Sequence, residues 1–255
     1  MDACRLDAAC AGLGGARHVL RASRSAIIIG ASSGIGAALA RRFAADGWRL
    51  GLAARRLDRL EALAAKIGAD CRVRAMDLAV PEEARRGLEA LLAELGGTDL
   101  IVISAGTGEL NADLAWPPDR DTIAVNVMGF AAVAQRAMAH LLAQGHGHLV
   151  GVSSVAKLRG SGDGAAYSAS KAFVSTYLDG LRDKAKRSRL PITVTEICPG
   201  FVDTAMMKAD KPFWVATPEQ AAACIDRAIA HRARHAYVTP RWRLVGLLLR
   251  MLPGP

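Results

Sequence analysis

The sequence predicts an α/β chain folded as one domain: a doubly wound parallel sheet of about seven strands with helices on both faces. Three observations predict it. Strand-length apolar runs alternate with helix-periodic segments from Ser25 to Thr239. A glycine loop, Gly30-x-x-x-Gly34-x-Gly36, stands where the first strand hands over to the first helix. No Gly/Ser-rich or Pro-rich linker and no internal repeat divides the 255 residues, a length that suits one such domain.

The elements follow in order. Ser25–Ile29 is a β-branched run that ends at the glycine loop, and Ile35–Asp46 is a helix with Leu39 and Phe43 on one face. Arg49–Ala53 is the second strand. Leu57–Ile67, with leucines at 57, 60 and 63, is the second helix, and Cys71–Ala75 is the third strand. Pro81 opens a helix through Leu95, where proline is allowed because its missing N–H had no partner in the first turn. Asp99–Ile103 is continuously apolar after its first residue, as a strand covered on both faces should be. A long helix over Asp121–Leu142, a strand at His148–Val152, a helix at Tyr167–Ser188 and a strand at Ile192–Ile197 come next. Pro218–His231 is a helix and Ala236–Thr239 a last short strand. The irregular stretch Ala205–Ala216 follows the sixth strand, at the end of the sheet where ligands bind in such folds.

Composition narrows the function. The formal charge is +9, but no Lys/Arg run exceeds two residues, so the basic bias is scattered over solvated faces and argues against nucleic acid. Five cysteines, Cys4, Cys10, Cys71, Cys198 and Cys224, form no C-x-x-C. The odd count and irregular spacing argue against a disulfide framework or a metal site and for a reducing, cytoplasmic compartment. Residues 1–24 contain Asp2 and Asp7 and no sustained apolar run, which predicts a loose extension rather than a secretory signal. Residues 241–255 form an apolar and basic tail, too short to span a bilayer, that packs on the domain or a sister subunit, with weak contact to a membrane surface as the alternative.

Two motifs carry chemistry. In Gly30-Ala31-Ser32-Ser33-Gly34-Ile35-Gly36, Gly30 permits the tight turn, Gly34 lets the backbone approach a pyrophosphate, and Gly36 lets the helix pack close to the sheet. The free N–H groups and the positive end of the helix then face the phosphates. At the end of the second strand, where a carboxylate would accept bonds from a ribose 2′-hydroxyl, stand Ala53-Ala54-Arg55-Arg56. A guanidinium there suits a 2′-phosphate, Arg55 being the preferred contact, so NADP(H) is expected over NAD(H). The second motif is Tyr167-x-x-x-Lys171 at a helix start, with Ser154 thirteen positions upstream. Tyr167 and Lys171 share a helix face. The ammonium is expected to lower the phenol's pKa from about 10, making it a proton donor and acceptor for a carbonyl or alcohol whose oxygen Ser154 holds. Tyr177 and Tyr237 lack a lysine four residues on and read as packing residues.

These residues together resemble the short-chain dehydrogenase/reductase family, whose loop reads G-x-x-x-G-x-G. The resemblance spans about Ser25–Thr204 and includes Gly30/Gly34/Gly36, Asp77-Leu78, Ala105-Gly106, Asn126, Ser154, Tyr167, Lys171, Pro199-Gly200 and Thr204 in the family's order. It implies a Rossmann-type sheet in the order 3-2-1-4-5-6-7. It also implies that Asp77 and Leu78 flank the adenine, and that Asn126 holds a water in a proton relay through Lys171. Lys171 would bond the nicotinamide ribose, and Pro199, Gly200, Val202 and Thr204 would lie beside the carboxamide. The family's Asn-Asn-Ala-Gly is here Ile103-Ser104-Ala105-Gly106, with the Ser104 hydroxyl expected to replace part of the missing amides. The expectation is an NADP-dependent oxidoreductase acting on a small-molecule carbonyl or secondary alcohol, as a homodimer or homotetramer. Met206, Met207, Phe213 and Trp214 would form an apolar lid over a substrate with an apolar part. The alternative is a catalytically silent NADP(H) sensor or a membrane-docked regulator on the same fold.

Overall fold

The computed structural model describes residues 24–68, 70–208 and 212–251. The N-terminal extension up to residue 23, with Cys4 and Cys10, and the last four residues of the tail lie outside the described residues. Seven parallel strands form one sheet: β1 Ser25–Ile29, β2 Arg49–Ala54, β3 Cys71–Ala75, β4 Leu100–Ile103, β5 Gly147–Val152, β6 Ile192–Pro199 and β7 His235–Val238. Their order is β3-β2-β1-β4-β5-β6-β7, as the resemblance implied. The helices are α1 Gly34–Ala45, α2 Leu57–Ile67, α3 Pro81–Leu95, α4 Trp116–Ile123, α5 Phe130–Gln144, α6 Ala165–Ser188, α7 Pro218–Ala230 and α8 Trp242–Met251.

The central strands β1 and β4 are apolar on both faces because both faces are covered. Along β1, Ala26 and Ile28 join a core with Leu39 and Phe43 of α1 and Ile225 of α7. Ile27 and Ile29 join the opposite core with Leu88 and Leu91 of α3, Phe130 and Val133 of α5 and Leu178 of α6. β1 pairs with β2 on one side and β4 on the other. The direction of travel across the sheet therefore reverses at β1, and a crevice opens at the carboxyl ends of β1 and β4.

The expected helix at Asp121–Leu142 is longer and interrupted. It runs from Trp116 to Gln144 and contains a π-helical segment, Ala124–Gly129, between α4 and α5. The stretch is long and apolar enough to cross a membrane by length and composition. Phe130, Val133, Ala137, Met138 and Leu141 are instead buried in the core of this fold. The extra residue of the π turn arises where Gly129 lies so close to α3's leading loop that an added Cβ would fall 2.1 Å from the Leu78 carbonyl oxygen.

Candidate active site

A cleft of about 880 Å³ opens at the carboxyl ends of the strands. It is lined by all of the residues singled out in the sequence for cofactor and catalysis except Gly36 and Asn126. Gly36 serves packing, since a Cβ there would stand 2.2 Å from the Gly30 carbonyl oxygen. Asn126 lies just behind the wall. A second hollow of about 500 Å³ sits at the other end of the sheet, around Arg24, Trp48 and Arg232, and contains none of the motif residues.

The glycine loop forms as its spacing predicts. Gly30 has φ +96°, and a Cβ on it would lie 2.5 Å from the Ala105 nitrogen, so only glycine fits this approach of β1 to β4. Ser33 precedes α1 with no side-chain cap, and the first turn of α1 holds no acidic residue. The helix thus turns uncapped N–H groups and its positive end toward the cleft, which fits a dinucleotide phosphate. Arg55 and Arg56 both line the cleft. Arg56 reaches the loop itself, donating from Nη2 to Ser32 Oγ at 3.2 Å and to Ser33 Oγ at 3.0 Å. Arg55, the preferred contact of the sequence reading, and Arg56 thus stand at the same wall, with Arg56 bonded to the loop. At Ser104 the tie between β4 and β1 is made by backbone: the N–H groups of Ser104 and Ala105 both donate to the Ile29 carbonyl, at 2.8 and 2.9 Å.

The four catalytic candidates converge from different elements. Ser154 follows β5, Tyr167 and Lys171 stand on the first turns of α6, and Asn126 sits in the π segment. Asn126 is 2% exposed; its Oδ1 accepts from the Thr107 N–H at 2.9 Å. Its Nδ2 donates to the Thr107 carbonyl at 2.6 Å and to Ser170 Oγ at 3.0 Å. Ser170 Oγ in turn donates to the Tyr167 carbonyl at 2.7 Å. Gly106 passes beside this group, where a Cβ would be 3.1 Å from Lys171 Nζ and 3.3 Å from Asn126 Oδ1. Gly108 passes over the Tyr167 ring, where a Cβ would be only 2.4 Å away.

The electrostatics correct one expectation. Burial pushes the Tyr167 phenol above its ordinary value, and the neighbouring Ser154 hydroxyl only partly opposes this. Lys171 is engaged elsewhere. Its Nζ donates to the Val152 carbonyl at 3.2 Å and lies 5.6 Å from the centre of the tyrosine ring. Burial lowers Lys171's own pKa to about 8, because the protein around it replaces the water that would solvate the ammonium. Near neutral pH the phenol is therefore protonated. Ser153, next to Ser154, turns away and donates to Glu196 at 2.6 Å.

The lid is partly as expected. Met206, Met207 and Phe213 line the cleft, but Trp214 does not. Trp214 stands edge-on to Trp242, with ring centres 6.1 Å apart. Trp242 itself escaped the sequence reading. It is 3% exposed, lines the cleft and stacks on Phe213 at 5.0 Å. Its indole lies on Gly200, where a Cβ would be 1.9 Å from the ring. The clue in the sequence was an indole and Val245–Gly246 at helical spacing just after the last strand, opposite the flat Pro199-Gly200 segment.

Comparison with known proteins agrees with this architecture. Residues 24–213 match the short chain dehydrogenase family. An uncharacterized oxidoreductase of Myxococcus xanthus is 38% identical over 242 residues, covering 91% of this chain and 94% of its own length. One from Mycobacterium tuberculosis is 37% identical over 189 residues, covering 71% and 74%. Among solved structures, a short chain dehydrogenase/reductase from Burkholderia phymatum in complex with NAD superposes with a TM-score of 0.81 at 22% identity, over 89% of this chain and 92% of that one. A short-chain dehydrogenase from Sphingobium yanoikuyae in complex with NADPH gives 0.77 at 24%, over 90% and 96%. At such identities these two show the fold alone. The family match and the bacterial relatives go further: this chain belongs to the short-chain dehydrogenase family of oxidoreductases.

Proposed function

We propose that this chain is an NADP(H)-dependent reductase of ketones or aldehydes, running in reverse as a secondary-alcohol dehydrogenase, on substrates with an apolar part. One observation carries the reading. A protonated phenol, Tyr167, faces the cleft with Ser154 beside it and Lys171 one helical turn on. When bound, the nicotinamide supplies or accepts the hydride. The protein's share is acid and alignment. Tyr167 Oη gives its proton to the reacting oxygen, or takes one in the alcohol direction, and Ser154 Oγ holds that oxygen. Lys171 supplies positive charge behind the phenol, and the Asn126 amide fixes the loop at Thr107 against α6.

The glycine loop, Asp77, Leu78 and the Ser104–Gly106 segment would hold the dinucleotide along the switch point of the sheet. Of the two similar structures one holds NADPH and the other NAD, so the choice of cofactor rests on this chain's own residues. Two guanidinium groups and no carboxylate stand at the end of β2, which supports NADP(H). Met206, Phe213 and Trp242 support the apolar substrate. The same reading takes the chain as a cytoplasmic homo-oligomer.

The test is NADPH oxidation over a panel of aldehydes, ketosteroids, sugars and acyl ketones, with Tyr167→Phe as the blank. Turnover should fall at least about 10²-fold in the variant, with NADPH affinity unchanged. Tight NADPH binding without turnover of any carbonyl by the wild type would overturn the enzyme reading in favour of a silent cofactor sensor.

A further inference from the structure

Behind the cleft, the end of β5, the start of β7 and one turn converge on a fully buried carboxylate in the middle of β6. Glu196 of β6 is 0% exposed. Its Oε1 accepts from Ser153 Oγ at 2.6 Å and from Lys157 Nζ at 2.6 Å, and its Oε2 lies 2.8 Å from His235 Nδ1. Burial opposes the charged form, but the donors from His235, Lys157 and Ser153 outweigh it and hold the carboxylate ionised, well below the usual range. Among the described residues, Lys157–Glu196 is the one ion pair with both side chains less than a tenth exposed, at 8% and 0%. Such a pair is weak evidence for a stabilising role, because a well-packed apolar pair in such a place is often as stable or more so.

Geometry offers another reason. The backbone N–H of Lys157 donates to the Ser154 carbonyl at 3.2 Å, closing the 3₁₀ turn Val155–Leu158 that opens at Ser154. Its ammonium reaches Glu196, three residues before Pro199, and donates to Ser175 Oγ at 2.8 Å. Ser175 stands on α6 one turn beyond Lys171. A single ammonium thus ties together the turn that bears Ser154, the strand that leads to Pro199-Gly200 and the helix that carries Tyr167 and Lys171.

We propose that Lys157 and Glu196 are positioning residues, an ionic brace that fixes the Ser154 hydroxyl relative to the Tyr167–Lys171 helix. The catalytic consequence rests on the role proposed above for Ser154; the brace itself does not, so the test reads the two separately. Lys157→Met/Glu196→Leu removes both charges and strands neither. Hydrogen exchange is followed at Ala156, whose N–H donates to Ser154 Oγ at 3.2 Å, and at Lys157, whose N–H bonds the Ser154 carbonyl. Both amides should exchange at least about tenfold faster, with the sheet amides of Val150 and Ile197 unchanged. Lys157→Arg with Glu196 kept should retain the protection. For the best carbonyl substrate, kcat should fall about tenfold or more in the double variant while the KM for NADPH holds.

Wild-type protection at Ala156 and Lys157 in the double variant overturns the brace, as does faster exchange spread evenly over the sheet. Loosened amides with unchanged kcat uphold the brace and refute the clamping role of Ser154. If the double variant does not fold, Glu196→Gln, which keeps the shape and weakens the ion pair, is read in the same way. Failure of that variant to fold as well makes the pair a structural element and ends the proposal.

Discussion

Lys171 makes the energetic character of the site measurable. Its side chain is 5% exposed and its pKa falls from 10.5 to about 8 on folding. Below pH 8 the amine is protonated in both states, so the folded state carries the full penalty of a desolvated charge. That drop in pKa corresponds to about 3 kcal/mol. Between pH 8 and 10.5 the unfolded chain holds a proton that the folded one has released. Stability therefore rises with pH across that window, and above it the penalty is gone. Lys171→Met removes the penalty but leaves the Val152 carbonyl without its partner, a loss of about 1 to 3 kcal/mol that does not vary with pH. The net change at one pH can thus be small, and the informative quantity is a difference of differences. Urea unfolding of wild type and variant at pH 7 and pH 10.5 should show the wild type gaining about 3 kcal/mol relative to the variant. Parallel curves, within about 0.5 kcal/mol, would refute the claim that the ammonium is held against its solvation preference. The variant should also lose carbonyl reduction.

Three further outcomes follow from the geometry. Arg56→Leu removes the guanidinium at the Ser32–Ser33 loop and should raise the Kd for NADPH about 10- to 100-fold, with NADH unchanged, by fluorescence titration; equal losses for both would sink the phosphate assignment. Gly30→Ala forces a Cβ to within 2.5 Å of the Ala105 nitrogen at φ +96° and should cost more than about 2 kcal/mol in thermal or urea unfolding and weaken NADPH binding; a neutral result would contradict this approach of the two strands. Trp242→Ala empties the aromatic cluster on Gly200 and should lower stability by about 3 kcal/mol, speed tryptic cleavage at Arg241 and Arg243, and raise KM for bulky apolar carbonyls; unchanged proteolysis would show that the indole does not anchor α8.

The parts of the molecule legible in the sequence are those that local pattern fixes. Most strand and helix limits came within a few residues because continuous apolar runs and a 3.6-residue period are short-range signals, and the glycine loop came with its strand and helix on either side. What was missed depends on contacts between distant segments. The π turn in Trp116–Gln144 ends at Gly129, which packs on the backbone of Leu78, a residue far away in the chain. The indole of Trp242 joins the cleft wall only because Gly200 lacks a side chain. The expectation that Lys171 would acidify Tyr167 was a statement about spacing along a helix. Spacing puts the two on one face, but the Val152 carbonyl decides where the ammonium points, and burial decides which way each pKa moves.

Those missed contacts share a purpose that the fold makes necessary. The catalytic groups come from separate elements, and α6, which bears two of them, touches the strand-end loops on both sides. On one side Asn126 grips both backbone groups of Thr107 and, through Ser170, the carbonyl of Tyr167. On the other, Lys157 grips Glu196 and Ser175. Each grip buries polar groups that an apolar core would not need, and each lies within a turn of the Tyr167–Lys171 pair. A sheet and helices alone set that helix to within the slack of apolar packing. Hydrogen bonds of fixed length and direction remove the slack, and a reaction that demands alignment to a fraction of an ångström requires it removed. Many of the buried polar residues among those described, Asn126, Ser153, Ser154, Ser168, Ser170 and Lys171 among them, accordingly stand around the catalytic end of the sheet, while β1 and β4 in its middle are aliphatic along most of their length.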